Sequence, residues 1–357
     1  MHTSRSLTLA RLPSGVPIRT TVHAYGEGEL VDGDDGPELD APDGAPVVYA
    51  QAAQHGREVN GAAVLRRLHD RLVGGGAENA DGAENADGAE GADGPTADDL
   101  DGTLVTVPVA DPLTFDRVSY TTPESLDSRQ PNMNRCWPGD AEGSIHERMA
   151  ARLWRFAGAA DAIVDLHTGS PSMATHTVYM GGDDACRGLA EAFGTDLLLA
   201  EAAGDDADTE WDERGFAGKL RVAATREGVP TITPELAHSK EIVPEAVETG
   251  VAGMLGALRH EGLLQAEPDA WDGVVARNHL GRAIAGDSGL FVPEPDLAVG
   301  DRVAEGERVG EVFDPTTFET LHVARADRDG IAYSVAREAT VTAGATLVGV
   351  AERIDEE

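Results

Sequence analysis

The stretch PVVYAQAAQHGREVNGAAVLRRL, residues 46–68, combines three signals that together indicate an α/β fold. Its first part, Pro46–Gln51, is a short apolar run that is typical of a buried strand. A loop over Ala52–Glu58 follows, and apolar residues at helical spacing then continue from Val59 to Leu72. Because a strand that leads through a short loop into a helix is the building unit of α/β domains, this stretch predicts the start of such a domain.

The alternation of strands and helices continues to about residue 261. Strands are predicted over Gly102–Val109, Asp161–Leu166, Asp196–Ala200 and Pro230–Leu236. Helices are predicted over Ser144–Gly158, Ala185–Ala192, Gly215–Glu227 and Pro244–Glu261. Ser144 followed three residues later by Glu147 is a capping-box pattern and marks the start of its helix. The pattern predicts a mixed sheet flanked by helices over residues 46–265.

The two ends of the chain differ from this central region. Residues 1–45 are short and polar, with a candidate strand at Ile18–Tyr25, and we expect them to pack on the α/β domain with little core of their own. After about Pro268, short strands are separated by Gly, Pro and Asp turns, for example Gly289–Pro293, Asp301–Val312 and Gly330–Val335. This change predicts an all-β C-terminal domain over residues 270–357, long enough for its own core.

A low-complexity tract, Gly74–Asp99, interrupts the α/β region. It contains GAENADGAENADGAEGADG, which is nearly duplicated and almost free of large apolar residues. Such a segment cannot bury a core, so we predict a solvated acidic loop insertion.

The chain has 357 residues and a formal net charge of −36, with Lys219 and Lys240 as its only lysines. This charge excludes a general nucleic-acid binder, because phosphate contacts need a basic surface. A disordered acidic chain would lack the repeated apolar runs seen here. The composition therefore favours a folded protein from a very salty cytoplasm, a halophile, where salt screens repulsion to roughly 3 Å at 1 M.

Few features of the sequence indicate where in the cell the protein is located. Cys136 and Cys186 provide at most one pair, and Met1–Ala10 lacks the long apolar core of a secretory signal. No stretch reaches the ~18 uninterrupted apolar residues of a membrane helix. We therefore predict a cytoplasmic protein with reduced thiols and no membrane partner, and a homo-oligomer is compatible with these features.

His55-Gly56-Arg57-Glu58 directly follows the strand predicted at Pro46–Gln51. A loop in this position allows an imidazole and a carboxylate to converge on one cation, and Zn²⁺ accepts both at about 2.0–2.2 Å. His-x-x-Glu also occurs by chance in surface loops, so the motif needs a further ligand.

His167 supplies that candidate. It lies at the carboxyl end of the strand predicted at Asp161–Leu166, where open α/β sheets present functional residues, and Thr168-Gly169 follows it as a turn. A core histidine bonded to backbone is the alternative interpretation. Two His and one Glu leave a fourth zinc position for water, which is the arrangement of catalytic zinc sites.

Two further motifs carry polar chemistry. Asn132-Met133-Asn134-Arg135 combines amides with an arginine, the side chain suited to bidentate capture of a carboxylate. Glu235, in Pro234-Glu235-Leu236, ends a strand-like run between apolar residues, where a carboxylate is costly to desolvate unless it has a task. Beside zinc it could take a proton from water. A surface arginine and a rim glutamate are the alternatives.

Taken together, these motifs resemble the succinylglutamate desuccinylase/aspartoacylase family, a branch of the zinc carboxypeptidase fold. The family's order is HGxE, D-x-N-R-x-F-P-G, D-L-H and then a glutamate after a later strand. The matching motifs here are His55-Gly56-Arg57-Glu58, Asn132-Met133-Asn134-Arg135-Cys136-Trp137-Pro138-Gly139, Asp165-Leu166-His167 and Pro234-Glu235-Leu236. The agreement extends over about residues 45–262, apart from the acidic insertion.

The resemblance implies a zinc-dependent hydrolase that cleaves the amide bond of an N-acyl amino acid or a related acyl compound. His55, Glu58 and His167 would hold one Zn²⁺ per chain, and Glu235 would be the general base for a metal-activated water. Two other functions remain open: a metallocarboxypeptidase acting on short peptides, and a non-catalytic metal- or ligand-binding relative, although retention of all four motifs argues against the latter.

The resemblance also implies a small substrate that carries a carboxylate. Asn134 and Arg135 would bind it, and Arg135 would polarise the scissile carbonyl. Asn132 stands where the family has an acidic residue, which leaves substrate identity open. For the family's second substrate-binding arginine, upstream of this motif, Arg129 and Arg117 compete.

The C-terminal region resembles the barrel-sandwich pattern of lipoyl and biotinyl carriers, in Gly289–Pro293 and in the run Gly300–Gly310. A carrier needs a lysine to modify, and none follows Lys240. The carrier function is therefore excluded, and we expect this domain to buttress the sheet or to narrow the mouth of the pocket.

Overall fold

A thirteen-stranded mixed sheet forms the centre of the fold. The computed structural model describes residues 1–74, 94–169, 172–201, 211–212, 215–337 and 339–354, without the side chains of residues 278–280. Most of the predicted insertion Gly74–Asp99 lies outside the described residues. Within the described ranges, no helix combines the length and the apolar character needed to cross a membrane.

The strands and helices have the following bounds. The strands are β1 (His2–Arg11), β2 (Pro17–Gly26), β3 (Glu29–Gly33), β4 (Gly36–Asp40), β5 (Val47–Ala52), β6 (Thr103–Val107), β7 (Ala162–Gly169), β8 (Ser172–Met173), β9 (His176–Met180), β10 (Leu197–Glu201), β11 (Thr231–His238), β12 (Val274–Ile284), β13 (Gly289–Pro293), β14 (Arg302–Val303), β15 (Arg308–Phe313), β16 (Thr320–Arg325), β17 (Gly330–Val335), β18 (Thr340–Val341) and β19 (Thr346–Arg353). The helices are α1 (Asn60–Gly74), α2 (Pro112–Phe115), α3 (Ile145–Ala157), α4 (Asp184–Phe193), α5 (Leu220–Glu227) and α6 (Pro244–His260). Short 3₁₀ turns occur at Ala97–Asp99 and Met133–Arg135.

The main sheet has the order β1-β2-β6-β5-β7-β11-β9-β10-β12-β19-β17-β14, with β8 paired to β17. Strand β5 is parallel to β6 and β7, and β7 is parallel to β11. Every residue of β5 and β7 is buried, as expected for parallel strands covered on both faces. Burial on both faces explains why the sequences of β5 and β7 contain runs of apolar residues without polar alternation.

Two cores lie on opposite faces of the sheet. Alternate residues of β5 divide between them, since Val48 packs with α1, α4 and α6, and Tyr49 packs with α3 and part of α5. Helix α3 begins after Ser144, whose backbone N–H donates to the Glu147 carboxylate at 2.7 Å, so the predicted helix start and the Glu147 half of the capping box are confirmed. The predicted α/β architecture is also confirmed.

The N-terminal expectation of one strand and little core is wrong. Strands β1 and β2 have ten residues each, and β2 continues the main sheet by pairing with β6. Leu7, Leu9 and Val22 are fully buried in the core that α3 covers. Alternating apolar residues give these strands one buried face, and that face becomes core only when the strands extend a sheet formed elsewhere in the chain.

The C-terminal region both extends the main sheet and builds a second one. Strand β12 pairs in parallel with β10, and β19 and β17 follow it in the main sheet. A separate four-stranded sheet has the order β16-β15-β13-β18. The single strand expected at Asp301–Val312 is divided into β14 and β15 by a turn in which Ala304 N–H donates to the Glu307 carboxylate at 2.8 Å. The helix expected over Gly215–Glu227 begins only at Leu220.

Candidate metal centre and active site

His55, Glu58 and His167 come together at the carboxyl end of the central parallel strands. His55 and Glu58 lie in the loop between β5 and α1, and His167 is in β7. Ala52 is paired with Leu166 in these neighbouring strands, so the loop emerges beside His167. All three side chains are buried, and one donor atom from each lies within 4.8 Å of the others.

The two imidazoles contact different oxygens of the Glu58 carboxylate. Nδ1 of His55 is 2.9 Å from Oε1, and Nδ1 of His167 is 2.9 Å from Oε2. Burial alone would raise the pKa of Glu58, but His55 and His167 outweigh it and hold that pKa far below its usual range. A carboxylate and two imidazoles that converge in this way form a His₂Glu donor set, which is typical of catalytic zinc sites.

The outer nitrogen of each ring also has an oxygen partner. Nε2 of His167 is 3.0 Å from Oδ2 of Asp165, and Nε2 of His55 is 3.2 Å from Oδ1 of Asn132. Gln54 donates to Asp165 at 2.8 Å. Because an N–H directed at these oxygens fixes the tautomer, both Nδ1 atoms keep their lone pairs for a cation. The donor set therefore fits a divalent metal.

The glycine in His55-Gly56-Arg57-Glu58 has a steric cause. A Cβ atom at Gly56 would lie 2.0 Å from the Thr114 carbonyl carbon, so only glycine allows this close approach. The loop also contains Ala53 at φ 51°, a left-handed conformation that non-glycine residues rarely adopt. Tight packing against α2 thus holds the loop that carries two of the three donors.

Glu235 lies beside this cluster in strand β11. It is paired with His167 of β7 on one side and with His176 of β9 on the other. Burial raises the pKa of Glu235, His167 opposes the shift, and the nearby Glu58 carboxylate adds to it. A carboxyl group with a raised pKa next to a metal site is suited to exchange protons with substrate or water.

The Asn132–Arg135 motif is also brought to the cluster. Asn132 caps a 3₁₀ turn by accepting from Asn134 N–H at 2.8 Å. Oδ1 of Asn134 accepts from Leu220 N–H at 3.1 Å, and its Nδ2 is 3.5 Å from Nε2 of His167. Arg135 follows, with its guanidinium 5.6 Å from the centre of the Phe216 ring.

Neither candidate for a second substrate-binding arginine is placed with these residues. The side chain of Arg129 is 70% exposed, and its Nη1 is 3.5 Å from the Glu147 carboxylate at the start of α3. Arg117 is exposed after α2. Both arginines therefore lie on the protein surface and not beside the three metal-ligand candidates.

Three residues near the cluster were missed from the sequence: Tyr120, Lys219 and Arg221. The Tyr120 ring stacks on His55 with centres 3.9 Å apart. Nζ of Lys219 is 3.2 Å from the centre of the Phe216 ring, and the buried Arg221 pairs with Glu201. Burial, and then repulsion by Arg221, lower the pKa of Lys219 well below its usual value. The sequence offers one signal for Lys219: it is one of only two lysines in the chain, so a specific role for it could have been suspected.

A known catalytic domain is similar to the part of the chain that carries His167 and Glu235. Residues 92–261 match the succinylglutamate desuccinylase/aspartoacylase catalytic domain, a range that includes His167 and Glu235. The names of the matched domain and of the relatives described below indicate a deacylase. Over this range, just under half of its length, the chain is similar to the succinylglutamate desuccinylase/aspartoacylase family.

Individual relatives cover nearly the whole chain. An N-alpha-acetyl-L-2,4-diaminobutyric acid deacetylase from Halomonas elongata is 26% identical over 335 residues, 87% of this chain and 83% of that protein. The fold is similar to a succinylglutamate desuccinylase/aspartoacylase from Rhodobacter sphaeroides, with a TM-score of 0.75, 21% identity and coverage of 99% and 96% of the two chains. It is also similar to the product-bound ectoine utilization protein EutE from Ruegeria pomeroyi, with a TM-score of 0.73, 20% identity and coverage of 98% and 94%.

Proposed function

We propose that this chain is a zinc-dependent deacylase that hydrolyses the amide bond of an N-acyl amino acid. The observation that carries the proposal is the convergence of His55, Glu58 and His167, with the carboxyl group of Glu235 next to His167 in the sheet. One Zn²⁺ per chain would be held by the first three residues. When bound, zinc would supply a Lewis acid that lowers the pKa of a water molecule and polarises a carbonyl.

The side chains around this position would divide the remaining work. Glu235 would accept a proton from the attacking water and return it to the leaving amine, a general acid–base role that its carboxyl group, partly buried and with a raised pKa, suits. Arg135 would stabilise negative charge on the scissile carbonyl oxygen or pair with the substrate carboxylate. Asn132 and Asn134 would hold His55 and the Arg135 turn in place.

A small substrate with a carboxylate fits the charges near Arg135. Lys219 and Arg135 both lie against the Phe216 ring, and Arg221 is 5.9 Å from the centre of the same ring. Two arginines and a lysine around one ring are unusual in a chain of net charge −36. Arg221 is paired with Glu201, so Arg135 and Lys219 are the side chains that favour an anionic group nearby. The relative from Halomonas elongata is named for an N-acetylated amino acid, which belongs to this substrate class.

The test is hydrolysis by the purified chain of a panel of N-acetyl and N-succinyl amino acids, with short peptides in parallel. Molar KCl is included, because the acidic composition favours a halophile cytoplasm. We expect turnover of at least one N-acyl amino acid, loss of that turnover with a chelator, and recovery with Zn²⁺. Cleavage of peptides alone would instead support a metallocarboxypeptidase, and zinc binding without turnover of any substrate would support a non-catalytic relative.

A further inference from the structure

Three histidines outside the active site form a second cluster of metal-ligating side chains. His2, His23 and His69 are half-buried, and one nitrogen from each lies within 4.8 Å of the others. Nε2 of His2 is 3.2 Å from Nδ1 of His23. The ring centres of His2 and His23 are 5.0 and 5.6 Å from that of His69.

The strand register and the position of α1 bring these side chains together. His2 of β1 is directly opposite Tyr25 of β2, so their side chains are on the same face of the sheet. His23 is two residues before Tyr25 and therefore also on that face. Helix α1 packs on this face through Leu65, and its residue His69 is one turn further along.

The ring orientations suit metal binding. The hydroxyl group of Tyr25 is 2.9 Å from Nδ1 of His69, which leaves Nε2 of His69 available. An oxygen at the second nitrogen of a ligating histidine is the usual means of fixing the ring in a metal site.

We propose that His2, His23 and His69 form a second metal site, which takes a divalent transition metal such as Zn²⁺. Imidazole nitrogen is a good ligand for zinc, nickel and copper, whereas Mg²⁺ and Ca²⁺ prefer oxygen. The ligands come from β1, β2 and α1, so a bound ion links the edge of the main sheet to the helix that follows Glu58. The site is thus structural, and it stabilises the folded chain because it is assembled only by folding.

The test measures bound Zn²⁺ per full-length chain after metal removal, reloading with Zn²⁺ and desalting. The variants are His2→Ala and His69→Gln, and His322→Gln of β16 is the matched control. We expect each of the two variants to bind about one Zn²⁺ fewer than the wild type and the control, because three ligands are needed. Added Zn²⁺ should raise the Tm of the wild type by more than that of either variant.

The active-site residues are intact in all four proteins, so the difference in zinc content does not depend on the proposed deacylase function. His2 is near the end of an edge strand and partly exposed, so His2→Ala keeps the test valid even where His69→Gln disturbs packing. Equal zinc content in the wild type and in His2→Ala would overturn the proposal and leave the three rings as a packing cluster.

Discussion

Glu235 is directly opposite His167 in the adjacent parallel strand, and both side chains are on the same face of the sheet. Immediately after this pair the register shifts, and Ala237 adopts φ 55°, a conformation that is costly for a residue with a side chain. The strand thus presents the Glu235 carboxyl group beside the three-residue donor cluster without including it among the donors. A residue in this position can handle protons while the other three hold a metal.

Glu235→Gln should separate these two roles. The amide keeps the size of the side chain and removes its ability to accept a proton, so we expect kcat to fall by about 100-fold or more. Zinc content should stay at the wild-type value, because Glu235 is not a donor. The measurement is kcat on the best N-acyl amino acid, together with metal analysis.

Glu245→Gln is the matched control for this substitution. Glu245 is exposed in the first turn of α6, and we expect its loss to leave kcat unchanged. Near-normal turnover by Glu235→Gln would remove Glu235 from the mechanism, and joint loss of zinc and activity would show that it acts as a ligand.

Asp165→Asn tests the support of His167. Asp165 is fully buried and accepts from Gln51 and Gln54 while it faces Nε2 of His167. An amide group there weakens the hold on the ring, and we expect zinc affinity to fall about 10- to 100-fold. Competition with a chromogenic chelator measures the change. The control is Asp184→Asn, at an exposed position of α4. Equal affinity in the two variants would contradict a supporting role for Asp165.

The local parts of the fold could be predicted from the sequence, because local energetics determine them. Two examples are the apolar run of β7 and the capping box at Ser144. The pairing of β2 with β6 and of β12 with β10 could not be predicted, because a strand's own periodicity does not identify its neighbour. The apolar periodicity of the sequence also predicted that α5 starts at Gly215, whereas the helix starts at Leu220.

The candidate site shows the same division. His55, Glu58 and His167 were proposed from short motifs and a family resemblance, and the structure brings them together. Lys219 and Arg221 have no such motif, and their position near Arg135 depends on how the chain before α5 packs over Phe216. The burial of Lys219 and Arg221 can be recognised only from the tertiary structure.

Arg135→Ala should act on substrate binding. A hydrogen bond to a charged group contributes about 1.5–3 kcal/mol, so its loss should raise KM by about 10- to 100-fold, with a further fall in kcat if Arg135 also contacts the reacting carbonyl. Arg135→Lys should recover part of the loss, since it restores charge without the bidentate fork.

Arg129→Ala is the informative comparison for Arg135→Ala. Arg129 is largely exposed beside Glu147, so we expect its KM and kcat to remain at wild-type values. A large rise in KM for Arg129→Ala would instead mean that this side chain reaches the substrate in the bound state.

His176 should make the free energy of unfolding depend on pH. Burial lowers its pKa from 6.5 to about 4, and a bond from the ring to the Ala174 carbonyl, 2.8 Å from Nδ1, only partly opposes this. Tyr333 and Glu235 face the same ring. Between pH 6.5 and pH 4 the unfolded chain binds a proton that the folded chain does not, so stability falls as the pH is lowered.

This linkage amounts to about 2 kcal/mol between pH 8 and pH 5. Denaturant unfolding of the wild type and His176→Gln at the two pH values measures it. Both proteins lose stability from other groups as well, so the expected result is that the loss in His176→Gln is smaller by about this amount. His322→Gln should behave as the wild type does. Equal losses in His176→Gln and the wild type would mean that the buried ring takes up its proton without unfolding, most directly by pairing with the Glu235 carboxylate in the adjacent strand.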